Sequence, residues 1–218
     1  MVQTVNTLIS GVGTTLLLLV LALGIGFALG VPLGILHVYG RRPLRLLLSG
    51  YDAVMRGFPA IVLLFLIYFG IGSLPGVRIP SLHAAILALG LRSAAYQGRL
   101  VEGTLRMVPM GQLESALAVG MRRTMAIRRI VLPQALRFSL PGLANEYSIV
   151  LKDTALAFTV GVIELMSRAK FLAASKREIA QVYLLAAALY WILTQLGLLG
   201  FGWLERRARI SGLGSGRR

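Results

Sequence analysis

The 218-residue sequence has no cysteine, two histidines, three lysines and eight acidic residues. Without cysteine there is no disulfide framework, no thiolate metal site and no cysteine nucleophile. His37 and His83 stand apart at the ends of apolar runs. They read as interfacial or packing residues, and two isolated histidines do not make a metal site. No lysine among Lys152, Lys170 and Lys176 follows a glycine, so the chain lacks a G-x-x-x-x-G-K-[ST] loop and does not cradle ATP phosphates in that way. Nor is there a nucleophile and base constellation for an intramembrane hydrolase, so no catalytic residue is expected.

What the chain does have is apolar length. Hydrophobic residues make up 56% and charged residues 14%, and the mean hydropathy is +0.77. The apolar residues come in blocks of about twenty, enough to cross a hydrocarbon core roughly 30 Å thick. Five spans are predicted, at about Gly13 to Leu36, Ala53 to Gly72, Leu82 to Leu100, Leu140 to Leu165 and Gln181 to Trp203, giving one all-α membrane domain over residues 1–218. The first block is much longer than a signal-peptide core, so it is read as retained.

The net charge of +15 does not point to nucleic acid, because the cations gather at the ends of apolar blocks rather than on a soluble base-reading face. Arg41, Arg42 and Arg45 follow the first span. Arg106, Arg122, Arg123, Arg128, Arg129 and Arg137 lie between the third and fourth, and Arg206, Arg207, Arg209, Arg217 and Arg218 form the tail. Five crossings put all three groups on one side, against Arg78, Arg168, Lys170, Lys176 and Arg177 on the other. This bias predicts an outside N-terminus and a cytoplasmic C-terminus. Gly24, Gly26, Gly30 and Gly34 let helix backbones approach closely, either within one subunit or between two.

Residues 101–139 form the cytoplasmic loop between spans three and four. Gln112 to Val119 are good helix formers, and Gly120 stands where a left-handed cap would end the helix. A second short helix is predicted from about Thr124, stopping as Pro133 makes continuation past Leu132 unfavourable. By physics alone, two readings are level: a knob that docks in another protein's groove, and a basic helix lying on anionic lipid.

Spacing separates them. Glu114-Ser115-Ala116, three residues, Gly120, nine residues and Ile130-x-Leu132-Pro133 resemble the EAA motif of permease subunits of binding-protein-dependent ABC importers. Gly13-Thr14-Thr15-Leu16, Arg56-Gly57-Phe58-Pro59, Pro109-x-Gly111-Gln112, Asn145-Glu146 and Lys152-Asp153-Thr154-Ala155-Leu156 narrow the resemblance to polar amino-acid permeases of the histidine and glutamine transporter type. Ser115, Phe58 and Ala155 depart from the usual patterns. The resemblance implies a type I importer permease fold in a bacterial inner membrane and a coupling helix at Gln112 to Val119. Gly111, Gln112, Glu114, Ser115, Ala116, Gly120 and Pro133 are then the ATPase-docking residues. It also implies two ATPase subunits, which bind the ATP and Mg while this chain binds no cofactor, and an external solute-binding protein. ATP-driven closure of the ATPases would draw the docking knobs together and switch the path between its two faces.

Where the family usually has Glu followed three residues later by Arg, this chain has Arg99 and Glu102. The two share a helix face and are predicted to pair, so that reversing both charges is milder than reversing either. Glu146, Lys152, Asp153, Thr154 and Glu164 are candidate residues of a substrate path, because ionised groups at bilayer depth need partners or water. For Lys152 and Asp153, a structural pinning role stands beside that reading. Asp153 and Glu164 would suit a cationic amino acid. Five helices are too few to enclose a solute path and close it at both ends, so a second permease, identical or homologous, is expected within the membrane lipid. The alternative is a gradient-driven secondary transporter or channel-like protein, which the absence of clear internal repeats disfavours.

Overall fold

The computed structural model describes residues 2–176 and 179–208, and every regular element among them is helical. Arg177, Arg209, Arg217 and Arg218 lie outside the described residues. Helix α1 (Val2–Tyr39) is 38 residues long, or about 57 Å at 1.5 Å per residue. It runs along α4 (Ser81–Met107) for much of its length. Glycine makes this approach possible. A Cβ on Gly30 would lie 2.9 Å from Gln97 Cβ, and one on Gly34 would lie 2.8 Å from Gly98 O. Gly26, Gly30 and Gly34 therefore pack the subunit's own helices, whereas Gly24 has no such neighbour.

The predicted span from Ala53 to Gly72 is not one helix. Helix α2 (Arg42–Gly57) and the helical run that begins with α3 (Ala60–Phe65) and ends at Ser73 meet at 106°. Pro59 causes the break: it has no N–H to donate, and it holds Phe58 extended at φ −91°, ψ 145°. After α4 comes the short α5 (Met110–Ala118), then α6 (Arg123–Ala126), which widens into a π-turn over Ile127–Val131.

Pro133 does not stop this run. It sits in the first turn of α7 (Leu132–Asp153), where a proline loses no intrahelical bond, and the π-turn before it takes up the change in register. The predicted fourth span, Leu140 to Leu165, is also not continuous. Helix α7 tightens into a 3-10 stretch at Thr154–Val160, and the chain turns at Gly161 before α8 (Leu165–Lys176) and α9 (Ile179–Ala208).

Among the described residues, α1 and α9 are long and apolar enough to cross a membrane by length and composition, and the bent α2–α3 pair makes a third if taken as one span. Helices α4 and α7 bury Ser93, Gln97, Thr104, Ser139 and Glu146 between them and their neighbours. One apolar cluster joins α1 to α8 and α9 through Leu8, Leu165, Ala169 and Val182. Another joins the far end of α1 to α4 and α7 through Ile35, Val101, Leu105 and Ala135. The second cluster is the floor on which α5 rests.

Candidate functional site

Helix α5 begins directly after Pro109 and ends in a Schellman turn. Gly120 has φ +84°, the Met121 N–H donates to Ala116 O at 3.1 Å, and the Gly120 N–H donates to Leu117 O at 3.0 Å. The turn folds the chain back sharply and leaves α5 as a knob. Leu113 packs on the second apolar cluster, and Ala116 is 3% exposed. Of the predicted docking residues, Ala116 thus faces its own chain. Gly111, Gln112, Glu114, Ser115 and Gly120 face outward, and Pro133 is exposed in the first turn of α7.

Motif matching missed the apolar part of the knob. Met110, Leu117 and Val119 are exposed on α5 and its turn; Met110 and Leu117 border the cavity between α5 and the ends of α1 and α4, and Val119 lies on the opposite flank of the helix. Exposed apolar side chains grouped on one short helix make it a candidate interaction element. The signal lay in the sequence as hydrophobic residues inside an otherwise polar loop.

The second polar region lies between α4 and α7. Arg92 Nη1 is 2.8 Å from Asp153 Oδ2, and the guanidiniums of Arg92 and Arg56 both lie over the Tyr96 ring, at 4.8 and 5.1 Å from its centroid. Nearby, Ser93 Oγ donates to Glu146 Oε1 at 2.7 Å, and Gln97 Nε2 donates to Ser93 Oγ at 3.0 Å. Lys152 is exposed and forms no ion pair among the described residues. Arg56, Tyr96, Ser93 and Gln97 lie beside Glu146 and Asp153 but were not among the expected path residues Glu146, Lys152, Asp153, Thr154 and Glu164, because their helices meet only through tertiary packing.

Two candidate path residues have other partners. Thr154 is fully buried and donates to Leu151 O at 2.6 Å. Glu164, 0% exposed, accepts the Met166 and Ser167 N–H groups at 2.8 and 2.7 Å and the Tyr190 hydroxyl at 2.8 Å. It caps the start of α8, with its charge spread over donors at a helix N-terminus.

The third region joins α1, α2 and α4. Arg99 Nη1 is 2.8 Å from Glu102 Oε2, and Arg106 Nη2 is 3.0 Å from Glu102 Oε1. Arg99 Nε also lies 2.6 Å from Asp52 Oδ2, which His37 Nε2 approaches to 2.9 Å. His37 and Asp52 are 3% and 4% exposed. His37, read as an interfacial or packing residue, is therefore one arm of a buried charge cluster. Asp52 was visible as the lone acid of amphipathic α2, but which cation it would meet was not.

These features agree with the comparison to known proteins. Residues 26–210 match the family described as binding-protein-dependent transport system inner membrane component. The chain belongs to this family. The permease is 34% identical to the nopaline transport system permease protein NocM of Agrobacterium fabrum, over 97% of this chain and 94% of that one. It is 37% identical to the probable amino-acid permease protein YxeN of Bacillus subtilis, over 89% and 88%. Its fold is similar to that in the crystal structure of an amino acid ABC transporter with histidines. That match has TM-score 0.85 and 33% identity, covering 95% of this chain and 96% of that one. Membership in a family of transport permeases places the chain in the inner membrane and sets aside the gradient-driven alternative.

Proposed function

We propose that this permease is one of two membrane subunits of an ABC importer that carries a polar amino acid inward, and that α5 is where its ATPase docks. The observation that carries the docking claim is the knob itself. A Schellman turn at Gly120 ends α5 with Glu114 and Ser115 outward and with Met110, Leu117 and Val119 exposed. Such a short, rigid element suits a groove in a separate protein and transmits a push as a body.

Five crossings are the working topology, counting α1, the bent α2–α3 pair, α4, α7 and α9, with the N-terminus outside and the C-terminus cytoplasmic. Two ATPase subunits hold ATP and Mg, this chain catalyses nothing, and a solute-binding protein delivers cargo from outside. Arg92, Asp153 and Glu146 are the polar groups retained for the path, with Lys152 exposed beside them; Thr154 and Glu164 serve structure. Relatives named for amino-acid and nopaline transport support a substrate with both an ammonium and a carboxylate, each needing a partner in low dielectric.

Copurification tests the reading. A tagged chain should bring down an ATPase and a second permease, and Gly120→Val combined with Glu114→Lys should release the ATPase while the permease pair persists. Full ATPase retention by that variant would overturn the docking claim, and competition of uptake by a panel of amino acids would define the cargo.

A further inference from the structure

The cavity where α1, α2 and α4 meet holds more positive charge than the protein neutralises. Its volume is about 320 Å³. The two carboxylates near it are already engaged, Asp52 with His37 and Arg99, and Glu102 with Arg99 and Arg106. Arg42 and Arg45 line the same cavity and have no carboxylate partner among the described residues. Ser49 lines it too, with its hydroxyl making no hydrogen bond there. Positions 42, 45 and 49 share one face of α2. The N-terminus of α2 has no side-chain cap and no acid in its first turn, so its dipole adds to the positive field.

This is a donor set for a tetrahedral anion, with two guanidinium forks and a hydroxyl converging from one side. Its surroundings distinguish a lipid from a soluble ion. Leu46 lines the cavity and is 67% exposed, and Leu47 beside it is 73% exposed. Cations alternating with exposed leucines on a helix are the pattern of an interfacial element, whose apolar residues meet acyl chain while its cations meet headgroup. Arg106 lines both this cavity and the one under α5, so the site is at the docking end of the bundle.

We propose that this cavity binds the phosphodiester headgroup of an anionic lipid. Arg42 and Arg45 hold the phosphate oxygens, Ser49 donates its hydroxyl, and Leu46 and Leu47 lie along the acyl chain. The proposal rests on the membrane-permease reading, because it requires this end of the bundle to lie at a bilayer surface.

The test uses the detergent-purified permease with whatever partners copurify, delipidated and then titrated with phosphatidylglycerol, phosphatidylcholine or inorganic phosphate, with bound mass read by native mass spectrometry. Phosphatidylglycerol should be retained in preference to phosphatidylcholine and lost as salt rises. Arg42→Gln with Arg45→Gln should weaken it about thirty-fold, while Arg78→Gln should leave it unchanged. If the double variant does not fold, Ser49→Trp fills the cavity with both charges in place and should block the lipid. Undiminished phosphatidylglycerol binding in the double variant or the filled cavity overturns the proposal. So does its displacement by millimolar inorganic phosphate, which would mark a soluble anion site. Loss of a copurifying ATPase or second permease with lipid binding intact would show that the arginines contact protein instead, and also overturns it. Absence of any ATPase from the preparation counts against the transport reading alone, since the lipid is read on the chain itself.

Discussion

The knob at α5 and the charge cluster of α1, α2 and α4 are neighbours at one end of the bundle, yet they are built in opposite ways. Apart from Leu113 and Ala116 the knob keeps its side chains on the surface, and its shape depends on backbone: a proline at one end and a left-handed glycine at the other. The cluster buries His37 and Asp52 and depends on side chains from three helices meeting at 2.6 to 2.9 Å. Backbone devices are local and can be read from residue spacing. Side-chain clusters belong to the packed state, where removing one member strands the others in low dielectric. Damage to the knob should therefore spare the fold and impair coupling, whereas damage to the cluster should harm the fold first.

The largest expected effect follows from breaking the cluster. Asp52→Ala leaves buried His37 without its carboxylate and Arg99 with Glu102 alone, and should cost about 3 kcal/mol, the upper end for stranding a buried polar group. Thermal unfolding of the purified permease reads this. The same geometry corrects the expectation for Arg99 and Glu102. Because Arg99 also faces Asp52 at 2.6 Å, exchanging the two charges would set a second carboxylate against that of Asp52. The doubly reversed chain should be nearly as unstable as Arg99→Glu alone, and adding Asp52→Asn should recover much of the loss. A double reversal as stable as the native chain would show that Asp52 is not a partner.

Next in size is the cap of α8. Glu164→Ala strands two backbone N–H groups and the Tyr190 hydroxyl and should cost about 2 kcal/mol. Glu164→Gln keeps an acceptor and should cost less. If Glu164→Ala abolished uptake with unfolding unchanged, Glu164 would return to the substrate path.

A smaller stability effect, about 1–2 kcal/mol, is expected for Gly120→Val, from forcing a β-branched residue to φ +84°. Here the comparison sharpens, because ATPase copurification should fall far more than this modest change suggests. The smallest effect is expected for Lys152→Gln. An exposed side chain with no ion pair among the described residues should shift stability by less than about 0.5 kcal/mol, while amino-acid uptake should fall if Lys152 borders the path. A fall of several degrees in the unfolding temperature would instead make it a structural pin.

Much of the candidate site was legible because it is local. The Glu114-Ser115-Ala116 run, Gly120 and the proline-flanked helix are a few residues apart, and their conformations follow from intrinsic preference. Ala116 shows the limit: membership in the motif did not reveal that it turns inward, since burial depends on the floor supplied by α1, α4 and the π-turn. The spans at Ala53 to Gly72 and Leu140 to Leu165 show another. Hydropathy averages over twenty residues and does not resolve the break that Pro59 forces, or the tightening after Asp153.

By itself, the sequence determined the solvent and the class and singled out the proposed docking element, because apolar block length, charge placement and motif spacing act over short stretches of chain. Only the tertiary structure decided who partners whom. It gave Asp52 to His37 and Arg99, Asp153 to Arg92, and Glu164 to Tyr190. Those pairings connect residues up to 61 positions apart, as between Arg92 and Asp153, and each is set by how separate helices pack.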